Sequence, residues 1–171
     1  DGTYDNCTIK VTDSASNASS TLDVNTFVVD TTAPGIYGSN SSIRTPSNNN
    51  TPDFSFSSSE AGTITYGGSC SSSTTSATTG TNTVTFNTLS EGTYSNCTFR
   101  VTDSAGNGSV TWSIDPFIVD TTAPTVSSIS PTDNQSGVSI SDNISVTFSE
   151  AMYFPTTNTD NTTCYGSFAL S

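Results

Sequence analysis

The stretch DGTYDNCTIKVTDSASNASSTLDVNTFVVDTTAP, residues 1–34, returns 90 residues later as EGTYSNCTFRVTDSAGNGSVTWSIDPFIVDTTAP, residues 91–124. The two copies are identical at 21 of 34 positions. A fixed internal period indicates tandem domains of one size, here about 90 residues. We therefore expect residues 1–34 to be the C-terminal half of one repeat, residues 35–124 a complete repeat, and residues 125–171 the N-terminal half of a further repeat. On this division the chain is a window on an array or a subunit that starts and stops within a domain.

The composition excludes several classes of partner. Acidic residues number 15 against three Lys and Arg, which gives a net charge of -12, and there is no His. Nucleic acid requires a basic surface, so a nucleic-acid partner is not expected. The sequence has no run of about 18 apolar residues, so we expect no membrane insertion in this segment. An acidic surface does suit divalent cations.

The pattern of apolar residues predicts an all-β fold. Ser and Thr make up 65 of the 171 residues, yet Phe, Tyr, Val and Ile recur in short alternating runs bounded by turn residues. Alternation buries one face of a strand and exposes the other. Strands at a spacing of 8–12 residues are typical of a β-sandwich. In the complete repeat we predict strands near 36–38, 53–58, 62–66, 83–88, 94–102 and 109–119, with a bulge between Tyr94 and Cys97.

The sequence does not predict an enzyme. Without His, the many Ser residues and the four Cys residues have no imidazole base to activate them. The cysteines Cys7, Cys70, Cys97 and Cys164 form no CxxC pair. Disulfides in an oxidising compartment are the favoured interpretation, and free buried thiols are the alternative.

Three motifs carry a resemblance to a known family. They are Gly92-Thr93-Tyr94, then Val101-Thr102-Asp103-Ser104-Ala105-Gly106-Asn107, then Asp120-Thr121-Thr122-Ala123-Pro124, and residues 1–34 repeat them with Ser16 in place of the glycine. The chain resembles tandem bacterial immunoglobulin-like repeats of large cell-surface adhesins and of surface-layer-type and fibre-forming proteins. The segment SPTDNQSGVSISDNISVTFSEAM, residues 130–152, resembles a related subtype. The resemblance implies immunoglobulin-like β-sandwich repeats in a linear array.

The strand order implied by this resemblance places candidate cation ligands at one junction between repeats. The linker residue Asp30 would meet Glu60 and Asp103, which lie in two loops at the same end of the complete repeat, and Asn107 could join them. Ca²⁺ prefers such oxygen ligands, and related arrays hold Ca²⁺ between domains. The alternative is a hydrogen-bonded Asx turn beside solvated carboxylates. The equivalent half-sites are Asp120 with Glu150, and Asp13 with Asn17.

The same strand order implies the pairing of the cysteines. Cys70 follows the third strand and Cys97 lies in the sixth, and these strands are neighbours in an immunoglobulin-like sheet, so a Cys70–Cys97 disulfide is expected. Cys7 occupies the Cys97 position of the first repeat, and Cys164 occupies the Cys70 position of the third. We expect Cys164 of one copy to face Cys7 of the next.

These expectations combine into one functional hypothesis. The chain would be a structural repeat of an extracellular bacterial filament or stalk on the cell surface, joined head to tail by completed immunoglobulin-like domains. Its partners would be copies of itself or flanking repeats of the same polypeptide. The alternative is a ligand-binding or spacer module of a giant cell-surface adhesin.

Overall fold

The computed structural model describes residues 1–38 and 43–152, and the described chain contains strands and no helix. It divides into two compact units, Asp1–Thr121 and Thr122–Ser171. The first unit contains an N-terminal piece, residues 1–34, and a middle domain, residues 35–121. In the described residues no helix is long and apolar enough to cross a membrane.

The middle domain is an immunoglobulin-like β-sandwich. Its strands are β5 (Ile36–Tyr37), β6 (Asp53–Ser58), β7 (Gly62–Gly67), β8 (Ser76–Ala77), β9 (Gly80–Thr85), β10 (Gly92–Tyr94), β11 (Thr98–Thr102), β12 (Trp112–Ser113) and β13 (Phe117–Val119). One sheet has the order β5-β6-β9, a second the order β12-β11-β7-β8, and β10 pairs with β13. All of these pairings are antiparallel.

Alternation along the strands builds the core of this sandwich. In β6 the side chains of Phe54 and Phe56 are buried, and in β11 those of Phe99 and Val101 are buried. The ring of Phe99 packs against both phenylalanines of β6, with centroids 5.2 Å and 4.6 Å apart. The polar residues Asp53, Ser55 and Ser57 fill the alternate positions of β6, which face away from this core.

The N-terminal piece repeats the last four strands of the middle domain. Its strands are β1 (Gly2–Tyr4), β2 (Thr8–Ile9), β3 (Leu22–Asp23) and β4 (Phe27–Val29). The pairing of β1 with β4 has the register Gly2↔Val29, which is the register Gly92↔Val119 of β10 and β13 shifted by 90 residues. β2 pairs with β3 as β11 pairs with β12. Within the described residues, no strand pairs with the other edge of β2.

The second unit repeats the first two strands of the middle domain. Its strands are β14 (Val126–Ser130) and β15 (Ser145–Phe148), which pair antiparallel. The pair Val126↔Phe148 stands 90 residues after the pair Ile36↔Ser58 of β5 and β6. The Ser149 amide donates to the Thr125 carbonyl at 2.9 Å, as the Ser59 amide donates to the Gly35 carbonyl at 2.9 Å.

The structure corrects several strand predictions. The predicted strand 94–102 is two strands, because β10 pairs with β13 whereas β11 pairs with β7 and β12. The predicted strand 109–119 divides in the same way into β12 and β13. The bulge expected between Tyr94 and Cys97 is therefore a change of sheet. The predicted strand 83–88 starts earlier, at Gly80, and β8 was not predicted. The remaining predicted strands occur within one or two residues of their expected bounds.

Candidate cation site

Three carboxylates meet where the linker enters the middle domain. Asp30 follows β4, Glu60 lies in the turn between β6 and β7, and Asp103 follows β11. Each residue offers a carboxylate oxygen that lies within 4.8 Å of those of the other two, and all three are half-buried. The structure therefore brings together the three acids that the sequence predicted to converge.

The turn after β11 fixes the orientation of the Asp103 carboxylate. Its Oδ1 accepts hydrogen bonds from the backbone amides of Ala105 at 2.9 Å and Asn107 at 2.8 Å. Its Oδ2 accepts one from Nδ2 of Asn107 at 2.9 Å. Partial burial raises the pKa of Asp103, but these bonds and that from the Gly106 amide outweigh it and hold the pKa below 3.8. Asp103 is thus fixed as an anion at neutral pH.

Asn107 ties the linker to this turn. Its Nδ2 also donates to the backbone carbonyl of Asp30 at 3.0 Å. Asn107 was predicted as a possible ligand, but its side-chain amide donates hydrogen bonds to Asp30 and Asp103 and so positions these two residues. The turn at Glu60 is held by Ser58, whose buried hydroxyl donates to the Glu60 carbonyl at 2.6 Å. The Asx turn proposed as the alternative to a cation site is therefore present together with the carboxylate cluster.

The N-terminal piece contains the same Asx turn in an exposed setting. Oδ1 of Asp13 accepts from the amides of Ala15 at 2.9 Å and Asn17 at 2.8 Å, and Oδ2 accepts from Nδ2 of Asn17 at 3.0 Å. Hydrogen bonds from the Asn17 side chain and backbone lower the pKa of Asp13 below 3.8, against a smaller opposing effect of burial. Within the described residues, no other acid joins Asp13 in a cluster of three.

The remaining predicted ligands, Asp120 and Glu150, belong to different compact units. The Asp120 amide donates to the Ser47 carbonyl at 2.9 Å, which anchors the end of the middle domain. Glu150 follows β15 as Glu60 follows β6, and its Oε1 is buried without a hydrogen-bond partner among the described residues. Asp120 thus corresponds to Asp30, and Glu150 corresponds to Glu60, each 90 residues later.

One contact at the linker was not predicted from the sequence. Oδ1 of Asp1 accepts hydrogen bonds from the Thr31 amide at 2.8 Å and the Thr31 hydroxyl at 2.6 Å, and Oδ2 accepts one from the Thr32 hydroxyl. In the second copy the Thr121 hydroxyl donates to Glu91 at 3.2 Å. The sequence signal for this contact was the acidic residue, Asp1 or Glu91, that directly precedes each Gly-Thr-Tyr motif.

The predicted Cys70–Cys97 disulfide is confirmed. The two sulfurs are bonded across a separation of 27 residues, with the Cα atoms 5.2 Å apart. The disulfide joins the segment after β7 to the segment before β11, and both cysteines are buried. Cys7 is a half-buried free thiol, and Cys164 lies outside the described residues.

Comparison with known proteins gives a match to a family model over the C-terminal part of the chain. No curated protein and no solved structure matches the chain significantly. Bacterial Ig-like domains are surface-associated structural or adhesion modules of a non-catalytic type. They are typically extracellular, and the disulfide of this chain fits an extracellular location. Residues 120–168 match the family model of the bacterial Ig-like domain.

Proposed function

We propose that this chain is a structural repeat of an extracellular bacterial filament or stalk, in which immunoglobulin-like domains follow one another head to tail. The observation that carries the proposal is the repeated half-domain: both copies end in the same Asp-Thr-Thr-Ala-Pro linker. At the first linker, Asp30 enters a carboxylate cluster on the following domain. Because the linker is repeated together with the half-domain, each repeat can be joined to the next in the same way along an array.

We further propose that the cluster of Asp30, Glu60 and Asp103 holds Ca²⁺. Two unit charges about 4 Å apart repel by about 1 kcal/mol in water, and by more in a half-buried setting. A cation removes this repulsion, and Ca²⁺ favours hard oxygen ligands in an irregular arrangement. Backbone carbonyls or water would complete its coordination.

A cation in this position would stiffen the junction. Asp30 belongs to the linker, whereas Glu60 and Asp103 belong to two loops of the middle domain. Their common ion would join the linker to the domain, in addition to the hydrogen bond from Asn107 to the Asp30 carbonyl. Pro34, which is buried, restricts the same linker through its ring. The repeats would then have a fixed spacing.

The variant Glu60→Gln tests the proposed Ca²⁺ site. In EGTA it removes a repelling charge, so we expect a higher melting temperature than that of the unsubstituted chain. In excess CaCl₂ it removes a ligand, so we expect a lower one. Binding to the folded state at about 100 times the dissociation constant stabilises by about 2.7 kcal/mol. Scanning calorimetry in both buffers measures the change of sign.

The matched control for this test is Asp53→Asn, which removes an exposed carboxylate at the start of β6, outside the cluster. It should shift the melting temperature equally in both buffers. A chain whose melting temperature does not respond to CaCl₂, or a Glu60→Gln variant that responds as the unsubstituted chain does, would exclude the Ca²⁺ site.

The alternative function, a ligand-binding or spacer module of a giant cell-surface adhesin, uses the same architecture. The match to bacterial Ig-like domains supports both, because such modules serve as structural and as adhesion elements. Electron microscopy of the native material separates them. A regular helical fibre of this subunit supports the filament, and a stalk that ends in a distinct tip domain supports the adhesin.

A further inference from the structure

The N-terminal piece exposes a face that is buried in the middle domain. Four apolar residues show the contrast, and each is followed by its counterpart 90 residues later: Ile9 is 52% exposed and Phe99 1%, Val11 65% and Val101 0%, Phe27 44% and Phe117 2%, Val29 39% and Val119 1%. The strands that carry Ile9, Phe27 and Val29 have the same registers as their counterparts in the middle domain. The difference therefore lies in what covers the face.

The middle domain shows what covers it. The edge of β11 pairs with β7 over five residues, from Thr98↔Gly67 to Thr102↔Thr63. From the other sheet, Phe54 and Phe56 of β6 pack against Phe99. The cover is thus the N-terminal half of an immunoglobulin-like repeat. An uncovered apolar face with an open strand edge favours association with another chain.

The described residues of the second unit carry the first two strands of such an N-terminal half. The pair Val126↔Phe148 follows the pair Ile36↔Ser58 by 90 residues, and at the same offset Ile144, directly before β15, stands at the position of Phe54. Phe54 is 3% exposed and Ile144 is 66% exposed. Val126, the counterpart of the buried Ile36, is 57% exposed. The described residues therefore present two open faces, and β14 and β15 supply the counterparts of β5 and β6, which the N-terminal piece does not contain.

We propose that the face of β14 and β15 in one copy of this chain covers the face of the N-terminal piece in a second copy, and that the two form a composite immunoglobulin-like domain. This inference rests on the proposed structural function and names its partner. In the composite domain Ile144 of one copy packs on Ile9 of the other, as Phe54 packs on Phe99. The two surfaces differ, so the contact is head-to-tail and gives open-ended chains.

Two variants of the full chain test this contact. Ile9→Asp places a charge on the face of the N-terminal piece, and Ile144→Asp places one on the face of β14 and β15. We expect the unsubstituted chain to form a concentration-dependent series of oligomers in sedimentation velocity, and each variant alone to be monomeric. Lys10→Asp is the control beside Ile9: its side chain is exposed and its counterpart Arg100 is exposed in the middle domain, so association should persist.

A mixture of the two variants gives the sharpest result. Each variant retains one intact face, and only one productive contact can form between them. We expect a 1:1 dimer with twice the mass of one chain and no longer species. Circular dichroism and the fluorescence of Trp112, in the middle domain, verify that both variants remain folded.

Several outcomes would overturn the proposal. If the unsubstituted chain stays monomeric, the proposal is wrong. This holds both if the two faces of one chain cover each other and if a different segment covers them. A native array in which polypeptide preceding Asp1 covers Ile9 would overturn the proposal as well, and so would a mixture that stays monomeric. None of these results touches the response to CaCl₂, so failure here is distinguishable from failure of the proposed Ca²⁺-stiffened array.

Discussion

Ser16 and Gly106 occupy the same position of the repeated turn, and both have a left-handed backbone, with φ of 71° and 94°. This conformation is unfavourable for a residue with a Cβ and costs glycine nothing. A Cβ on Gly106 would have no atom within 4 Å, so a substitution there meets only the conformational cost. The N-terminal piece thus bears a strain that the middle domain avoids.

We expect Gly106→Ser to destabilise the middle domain by about 1 kcal/mol, because the serine must adopt the left-handed backbone. Urea unfolding followed by Trp112 fluorescence measures the change. The control is Ala105→Ser in the same exposed turn, where the backbone is not left-handed and the effect should stay within about 0.5 kcal/mol. Equal effects of the two substitutions would contradict the explanation.

Asp103 predicts a pH dependence of stability. Its pKa is below 3.8 in the folded state and takes the ordinary value in the unfolded state, so the unfolded chain binds the proton more readily. The stabilisation by ionised Asp103 is complete above the ordinary value and is lost as the pH falls through the folded pKa. In EGTA, Asp103→Asn should therefore lower the free energy of unfolding at neutral pH and flatten its decrease on acidification.

Urea unfolding of both proteins across the acid range measures this difference. Asp53→Asn serves as the control, since it removes an acidic residue outside the carboxylate cluster. Parallel pH profiles for the unsubstituted chain and Asp103→Asn would show that the turn does not depend on an ionised Asp103.

At the scale of elements, a disulfide and a tyrosine hydrogen bond stabilise the sandwich near the segment where the chain passes from β10 to β11. The disulfide joins the segments next to β7 and β11. The hydroxyl of Tyr94, at the end of β10, donates to the Ser90 carbonyl at 2.8 Å, which is the hydrogen bond of a tyrosine corner. The outer face of β6 and β9 adds side-chain bonds such as Ser55 to Thr83 at 3.0 Å.

Removing the disulfide should cost about 3–4 kcal/mol, because a loop of this length loses much of its entropy in the unfolded chain when it is closed. The test is the double variant Cys70→Ala with Cys97→Ala, unfolded in urea beside the unsubstituted chain. Cys7→Ala is the control, since Cys7 forms no disulfide among the described residues. A double variant as stable as the control would mean that the bond contributes nothing.

At the scale of the whole molecule, the two copies of one sequence differ in how well they are covered. We expect amides of β2 and β3 to exchange hydrogen much faster than those of β11 and β12 in dilute solution, because among the described residues β2 has one neighbouring strand and β11 has two. Mass spectrometry after deuterium labelling measures both segments in one sample. Protection of β2 should rise with protein concentration, and equal protection of both copies at high dilution would be incompatible with an open face.

The sequence by itself determined the fold class, the period and most strand positions, because alternation and repetition are local patterns. The convergence of Asp30, Glu60 and Asp103 was predicted from the strand order that the resemblance implies. The same strand order predicted the Cys70–Cys97 pair. These inferences required only the positions of residues along strands and the order of the strands.

Only the tertiary structure decided which strands share a sheet and which donors serve each carboxylate. The division of 94–102 into β10 and β11 depends on the partners of each strand, and these are distant in sequence. The donor role of Asn107 and the bonds from Thr31 and Thr32 to Asp1 depend on side-chain geometry within a folded turn. The difference in exposure between Ile9 and Phe99 also depends on tertiary structure, because a side chain is buried only when other parts of the fold pack against it.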